Sequence, residues 1–513
     1  MKKEPLIALA LYGILYLPFA VFLFQGGIAR GLSFAQFSSL FFSEGNDIIF
    51  INSIGISLLS SLLSLTAGFL VAFAVTRSGI RSMQWFSFLY LLPLAIPGFV
   101  YVEAVVFLSE GTGINLFTLP VLILLLSVVY MPVSAIIIGA GLRAVPKSIE
   151  ESALLVSPKN RWFIRITLPW MRPYFITAFA LTFLFSFANY EIPSLMNVQT
   201  YTLFIFNQFG AFYNFLNALY LILPVFLLFL LIVIAERYVV GKRSFFDLSM
   251  GKKGLTVETH SGFRYLLLCL FIAISVIVIL PSAILLVKAS SVRSIPEAVI
   301  PYWKEVGYSL VVSAGGAVVS LIVGMLFVRS MTAAQGRLRY IFLSLAFLPF
   351  AVPPAFLAIG LIKLSGTLFG TSSAGATAVL VWGFSARYFP IVLHILYAGA
   401  VTVNPRYRES AALSCGSWWK NVVRIWLPLN AGTMQQAFFF FIILSLAEIG
   451  LAVLLVPPDC MTASVNIYSM LHYGFEKEVA VETLMILVLV VTLGFLILRV
   501  RKQRMTGICE RVA

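Results

Sequence analysis

Six ionisable side chains sit inside apolar stretches of the sequence: Glu103, Glu191, Lys363, Arg387, His394 and Glu448. A charge at membrane depth is costly and is kept where it faces a cavity or a partner. Glu191, in NYEIPSLM, and Glu448, in LAEIGLAVLL, stand in similar strings near the outer ends of their runs. They read as flanks of an outward gate or cation path, or as residues resting at the membrane interface. Arg387, in ARYFPIVLHI, has Val129 at the matched position, and reads as half of a structural ion pair or as a path residue. His394 reads as a hydrogen-bonded packing residue. Tyr468, His472 and Tyr473 invite a metal-ligand reading, but the chain has 3 His and no paired His motif, so no metal site is assigned. No G-x-x-x-x-G-K-[ST] loop occurs, and Gly251-Lys252-Lys253-Gly254 lacks its spacing. The chain is therefore expected to have no catalytic residues and no cofactor of its own. Energy must come from a partner or an ion gradient.

The elements that carry these residues are membrane spans. Of 513 residues, 61% are hydrophobic and 11% charged, with a mean hydropathy of +1.01. Ordinary soluble domains are roughly 45–50% apolar. The net charge of +15 lies in short loops between apolar runs, where it sets orientation, and does not imply nucleic acid. Four scattered Cys imply neither a disulfide framework nor a metal cluster. The first run, Leu6 to Phe24, reads as a span rather than a cleavable leader. About twelve spans are expected, each near the ~20 residues a bilayer needs. They lie near 5–25, 49–76, 83–108, 115–141, 172–198, 214–236, 264–288, 305–330, 340–364, 374–400, 430–456 and 478–499. With both termini cytoplasmic, most of the 35 Lys and Arg fall on the inner side, as the positive-inside rule requires.

The chain repeats itself. At a spacing of 256, Ser53 matches Ser309, Ser57 matches Ser313, Gly68 matches Gly324, Pro93 matches Pro349 and Pro97 matches Pro353. Tyr130 and Pro132 match Tyr388 and Pro390 at 258. The expected domains are a first half at 1–240, a polar cytoplasmic linker at 241–263 and a second half at 264–513. Six spans is an even number, so the halves are parallel repeats about an axis along the membrane normal, with the path at their interface. The paired prolines, in LLPLAIPG and FLPFAVPP, remove backbone donors and kink the third span of each half, as packing kinks or as gate-lining breaks.

The longest polar match joins EESALLVSPKNRWFIRITLP (150–169) to ESAALSCGSWWKNVVRIWLP (409–428) without a gap. Glu150 matches Glu409, Ala153 matches Ala412, Arg165 matches Arg424, and Leu168-Pro169 matches Leu427-Pro428. Each stretch follows a Pro, Pro146 or Pro405, with acids close behind, which is a plausible helix start. Small residues there would let a partner approach closely.

Both stretches resemble the EAA loop of the membrane subunits of ABC importers: Glu-Ala-Ala, a Gly, then a hydrophobic residue and Leu-Pro. The first copy reads Glu151-Ser152-Ala153 and has Ser157 in place of the Gly. The second reads Ser410-Ala411-Ala412 after Glu409 and keeps Gly416. The strings at 189–209 and 445–474 are similar to fused ferric-iron-type permeases, which extends the resemblance over nearly the whole chain. It implies an all-α polytopic membrane protein of the type I ABC importer (MetI-like) fold, with two parallel six-helix repeats, in a bacterial inner membrane. It implies coupling helices at Glu150, Glu151, Ser152, Ala153 and Ser157, and at Glu409, Ser410, Ala411, Ala412 and Gly416. These would dock two copies of a separate ATPase, which would hold ATP and Mg. It further implies a solute-binding protein outside. Glu191, Glu448, Pro93, Pro97, Pro349, Pro353 and Arg387 are the expected path or gate residues. Ferric iron is the expected cargo; thiamine and aminophosphonate permeases share the architecture. An ion-coupled secondary transporter would also explain the spans and buried acids, but it leaves the duplicated loops unexplained.

Overall fold

The computed structural model describes residues 4–23, 33–43, 45–79, 93, 96–156, 161–210, 215–240, 261–290, 299–368, 372–403, 418–457, 459–473 and 476–510. All regular structure among them is helical. Two short helices, α1 (Glu4–Leu15) and α2 (Leu17–Leu23), begin the chain. They are followed by α3 (Phe34–Phe41), α4 (Asn46–Thr76), α5 (Gly98–Thr112), α6 (Leu119–Ala144) and α7 (Lys147–Val156). Next come α8 (Arg172–Ala188), α9 (Glu191–Leu195), α10 (Tyr201–Gly210), α11 (Phe215–Val240) and α12 (Ser261–Ser290). The rest are α13 (Trp303–Ala333), α14 (Gly336–Phe347), α15 (Pro354–Leu368), α16 (Ser373–Thr402), α17 (Leu427–Leu446), α18 (Ala452–Leu455), α19 (Ala463–His472) and α20 (Glu476–Glu510).

Eight helices among the described residues are long and apolar enough to cross a membrane, or ten if each of two bent pairs is one span. The chain is thus a multi-pass membrane protein. One bend, of 53°, falls at Met171 between Phe163–Trp170 and α8; the other, of 94°, falls at the FLPFAVPP prolines between Ile341–Phe350 and Pro354–Gly366. The expected span at 5–25 is instead two short helices meeting at Tyr16, just before Pro18. The first part of the expected span at 83–108, residues 83–92, lies outside the described residues, and α5 covers the last part.

The helix faces are inverted relative to a soluble bundle. In α4, Ser53, Ser57, Ser60, Ser61, Ser64 and Gly68 are buried, while Leu58, Leu59, Leu62 and Leu63 are exposed. Lipid tails are as apolar as leucine, so helices gain little by burying leucine and more by letting small residues bring backbones together. A Cβ on Gly68 would lie 2.6 Å from Ser134 Cβ and 2.8 Å from the Ala135 nitrogen. Ser60 and Ser186 hydroxyls meet at 2.6 Å, joining α4 to α8. Such interhelical bonds average about 0.6 kcal/mol, so close packing along the seam dominates. α13 repeats the seam with Ser309, Ser313, Gly316, Ser320 and Gly324 buried. The next contact is also duplicated: a Cβ on Gly141 would strike Tyr174, and one on Gly399 would strike Thr433.

The compact units differ from the sequence halves at their first helices. One unit is 26–293; the other is 1–25 with 294–513. The helices α1 and α2 therefore pack with the second half of the sequence rather than within 1–240. Tyr12 Oη donates to the Leu345 carbonyl at 2.7 Å and Tyr16 Oη to that of Ala386 at 2.8 Å. Both rings lie against Phe389, and Tyr12 also meets Phe327. Reciprocally α12, the first helix of the expected second half, packs on α4 and α5. There Lys288 pairs with Glu103 at 2.9 Å, both side chains nearly buried. Residues 241–260, most of the expected linker, lie outside the described residues.

The seam predicts a graded response. Gly68→Ala forces α4 and α6 apart and is expected to lower stability by about 1–3 kcal/mol. Gly55→Ala meets nothing within 4 Å and is expected to be neutral or stabilising. Thermal unfolding of the two variants in detergent checks this.

Candidate functional site

Pro146 opens the first loop helix by leaving a first-turn position that needs no N–H donor. Its carbonyl accepts from Ile149 and Glu150. The helix α7 then presents two faces. Glu150 is fully buried and Ala153 is buried, whereas Glu151, Ser152, Leu154 and Leu155 are exposed. Glu151 pairs with Lys147 at 3.3 Å, one turn back on the open surface, and Ser152 donates to the Ser148 carbonyl. The outward face is thus carried by Leu155, 88% exposed, beside Leu154, Ser152 and Glu151.

Glu150 faces the chain itself. Arg77, just past α4 and 1% exposed, donates from Nη1 to Glu150 Oε2 at 2.7 Å. The same guanidinium donates from Nη2 to the Leu142 carbonyl near the end of α6. Thr167 donates to Glu150 Oε1 at 3.3 Å. One carboxylate therefore links α7 to the end of α4 and to the segment after the loop, and its arginine reaches α6. A buried charge needs such pairing, since breaking a buried ion pair costs about 3–5 kcal/mol.

The segment after the loop is a π turn, Phe163–Thr167, and the second copy has one at Val422–Trp426. π-Helix accounts for roughly under 1% of residues, so two at one register of the repeat reflect a shared cause. A helical proline lacks the donor for the carbonyl four residues back and presses on it. For Pro169 and Pro428 those carbonyls belong to Arg165 and Arg424, each within its π turn. Both arginine side chains are exposed.

Ser157 and the second loop residues Glu409, Ser410, Ala411, Ala412 and Gly416 lie outside the described residues. At the edge of that loop, Arg329 of α13 donates from Nε to Glu4 Oε2 at 3.0 Å and from Nη1 to Asn421 Oδ1 at 3.4 Å. Asn421 immediately precedes the second π turn.

Glu191 and Pro97 are brought together. Pro97 starts α5, and the Phe99 N–H at that open helix end donates to Glu191 Oε1 at 2.9 Å. Gly98 permits the approach: a Cβ there would stand 3.1 Å from Glu191 Oε1 and 3.0 Å from Ile192 Cδ1. A carboxylate suits the positive end of a helix. Pro93 is buried close by in sequence. In the other unit Pro349 and Pro353 are buried at the 94° bend, where their carbonyls accept from Val352 and Phe356.

Glu448 is not the counterpart of Glu191. Its N–H donates to the Ser445 carbonyl, as that of Asn189 does to Ser186. Its Oε1 accepts from Leu451 N–H at 3.0 Å, as Asn189 Oδ1 does from Ile192 N–H at 3.0 Å. Its Oε2 accepts from Tyr388 Oη, while Asn189 Nδ2 donates to Tyr130 Oη at 3.0 Å. Glu448 therefore occupies the Asn189 position, at the spacing of 259 that relates the two loops, and Glu191 corresponds to Gly450. Arg387, matched by Val129, lies 3.8 Å from Glu448. Where one half has an amide and a tyrosine, the other has a carboxylate, a tyrosine and an arginine. Each cluster fastens the break within the fifth expected span of its half, 172–198 or 430–456. Beyond it, Ser53 Oγ accepts from Tyr201 N–H and Ser309 Oγ from Ala463 N–H, both at 2.8 Å.

Sequence reasoning passed over Arg77, Thr167, Asn189 and the π turns. The loop spacing of 259, carried forward along the chain, finds Asn189 as the match of Glu448. No three His, Cys, Asp or Glu come together as metal ligands among the described residues. His472 Nδ1 lies 2.9 Å from the Tyr468 carbonyl, a within-helix contact.

These features describe an all-helical, multi-pass membrane chain with an internal repeat. No family model matches it. Over 458 residues, 86% of this chain and 86% of the relative, it is 23% identical to a protein of Haemophilus influenzae named Fe(3+)-transport system permease protein FbpB 2. The chain is thus similar, over nearly its whole length, to a transport permease.

The Glu448 cluster yields a test. Arg387→Met leaves Glu448 largely buried beside fewer donors and is expected to lower the melting temperature. Adding Glu448→Gln to Arg387→Met removes the buried charge, keeps an acceptor for Leu451 N–H, and is expected to recover part of the loss. Thermal melts of the single and double variants check the order.

Proposed function

We propose that the chain is the membrane-spanning permease subunit of an ATP-binding-cassette importer of the type I (MetI-like) fold. Its twelve spans would form two parallel repeats. The observation that carries the reading is the duplicated loop, each copy leading into a π turn and Leu-Pro at one register, in a chain similar to a permease over 86% of its length. Two copies of a cytoplasmic ATPase grip the loops at 146–157 and 405–416, and supply ATP and Mg. A binding protein on the outer face delivers cargo. ATP-driven closure of the ATPases swings each half through its loop. Both termini lie on the cytoplasmic side of a bacterial inner membrane, where the basic loops cluster.

In the first loop the docking face is the exposed one: Glu151, Ser152, Leu154 and Leu155. An apolar side chain as exposed as Leu155, on a polar loop rather than a lipid-facing span, suits a protein partner. Glu191, Glu448, Arg387 and the four prolines frame the breaks in the spans and are the candidates for the gate. Ferric iron is the proposed cargo, resting on the name of the relative.

Affinity capture of the tagged chain from its native membrane, followed by mass spectrometry, is expected to recover an ATPase subunit. A Leu155→Glu variant, altered on the exposed face alone, is expected to recover at least several-fold less. Recovery of no ATPase after gentle crosslinking would favour an ion-coupled transporter. For cargo, deletion of the chain is expected to lower iron uptake under iron limitation; unchanged iron uptake with lost thiamine uptake would reassign it.

A further inference from the structure

We infer that Glu150 is a positioning residue: it locks the first coupling helix to the spans, so that α7 and the ends of α4 and α6 move as one body. This rests on the permease reading for its meaning, though the lock itself is a property of the chain. The resemblance assigns Glu150 to the surface that meets the ATPase. The geometry points the other way. Its carboxylate is fully buried, one oxygen on Arg77 at 2.7 Å and the other on Thr167 at 3.3 Å. Arg77 in turn reaches the Leu142 carbonyl. Four segments thus converge on one ion pair: the end of α4, the end of α6, the loop helix and the π turn. A docking helix held only by its two peptide links would pivot under load. Held by a bracket on its inner face, it passes a push on its outer face to two spans at once. Ala153, three residues on, lies on the same inner face, which separates it from the docking surface as well.

The second half of the sequence does not carry the partners of this bracket. At the matched positions Arg77 becomes Ala333 and Thr167 becomes Trp426. There Arg329 holds Asn421 and Glu4, so the segment after the second loop is fastened to α1 instead. The segments that follow the two loops are therefore fastened by different bonds, and damage to Arg77 should act on the first alone.

The test places spin labels at Ser152→Cys, on the exposed face of α7, and Thr66→Cys, on α4, in a chain whose 4 native Cys are Ser. The parent chain is expected to give one narrow distance distribution. Arg77→Met is expected to broaden it and Arg77→Lys to restore it in large part. A narrow distribution in Arg77→Met overturns the lock, whatever the identity of the partner. The second readout is transport per ATP hydrolysed by the captured complex in liposomes, with ferric iron as the probe. Arg77→Met is expected to keep ATPase capture and hydrolysis while transport per ATP falls at least tenfold. Arg77→Met with Glu150→Leu removes both charges and so restores stability, yet it should stay uncoupled. Recovery of coupling in that double variant would reduce the pair to a stability element and overturn the positioning role. Failure to capture any ATPase with the parent chain would instead remove the permease reading and leave the spin-label result standing.

Discussion

Within a bilayer every polar group must find its partner inside the protein, because no water is available to replace one. Much of this chain's architecture derives from that condition. The long helices satisfy their own backbones and approach one another through serine and glycine. Where a helix breaks, the freed groups need a side chain. Phe99 N–H finds Glu191, Ile192 N–H finds Asn189, and Leu451 N–H finds Glu448. Glu191 and Glu448 are thus first of all the caps of broken helices. That does not remove them from a transport cycle. A cap on a helix break is held by few bonds, and breaks are where a span can change direction.

The repeat shows what is constrained and what is free. The seams of α4 and α13, the glycine contacts at Gly141 and Gly399, the π turns and the hydrogen bonds from Tyr201 and Ala463 to matched serines all occur twice. These are backbone-scale features, fixed by how close two helices must come. The charged clusters do not repeat. Arg387 and Glu448 stand where the other half has Val129 and Asn189, and the Arg77–Glu150 bracket has no sequence match. A duplicated scaffold has kept its packing in both copies while its electrostatics have diverged.

The sequence was most legible where the signal is local or periodic. Spans, paired prolines, duplicated loops and matched serines need only hydropathy and a fixed spacing. Three features were not legible. Exchange of α1 and α12 between the units leaves no mark, because an apolar helix fits either half equally well by composition. What decides it is Tyr12, Tyr16 and Lys288 finding specific partners far along the chain. The inward turn of Glu150 was hidden because an acid in a polar loop reads as solvated until a buried cation is found beside it, and Arg77 lies a whole span away. The pairing of Glu191 with Glu448 misled because their spacing of 257 fits no register of the repeat. The registers are 256 along the second span, 258 along the fourth and 259 from the loop to the breaks that end α8 and α17, and 259 selects Asn189.

Register also bears on how the loops work with the spans. The rise from 256 to 259 means the second half has gained residues between its second span and its loop. The Arg77–Glu150 pair bridges that interval and is not matched in the second half, whereas the bond of Tyr201 N–H to Ser53 is matched by that of Ala463 N–H to Ser309. The second half meets the same need from the opposite direction, with Arg329 reaching Asn421 after its loop and Glu4 on α1. The exchange of first helices thus supplies one of the two partners of Arg329 in the second anchor. Only a unit that has received α1 from the other sequence half has Glu4 in place to pair with Arg329.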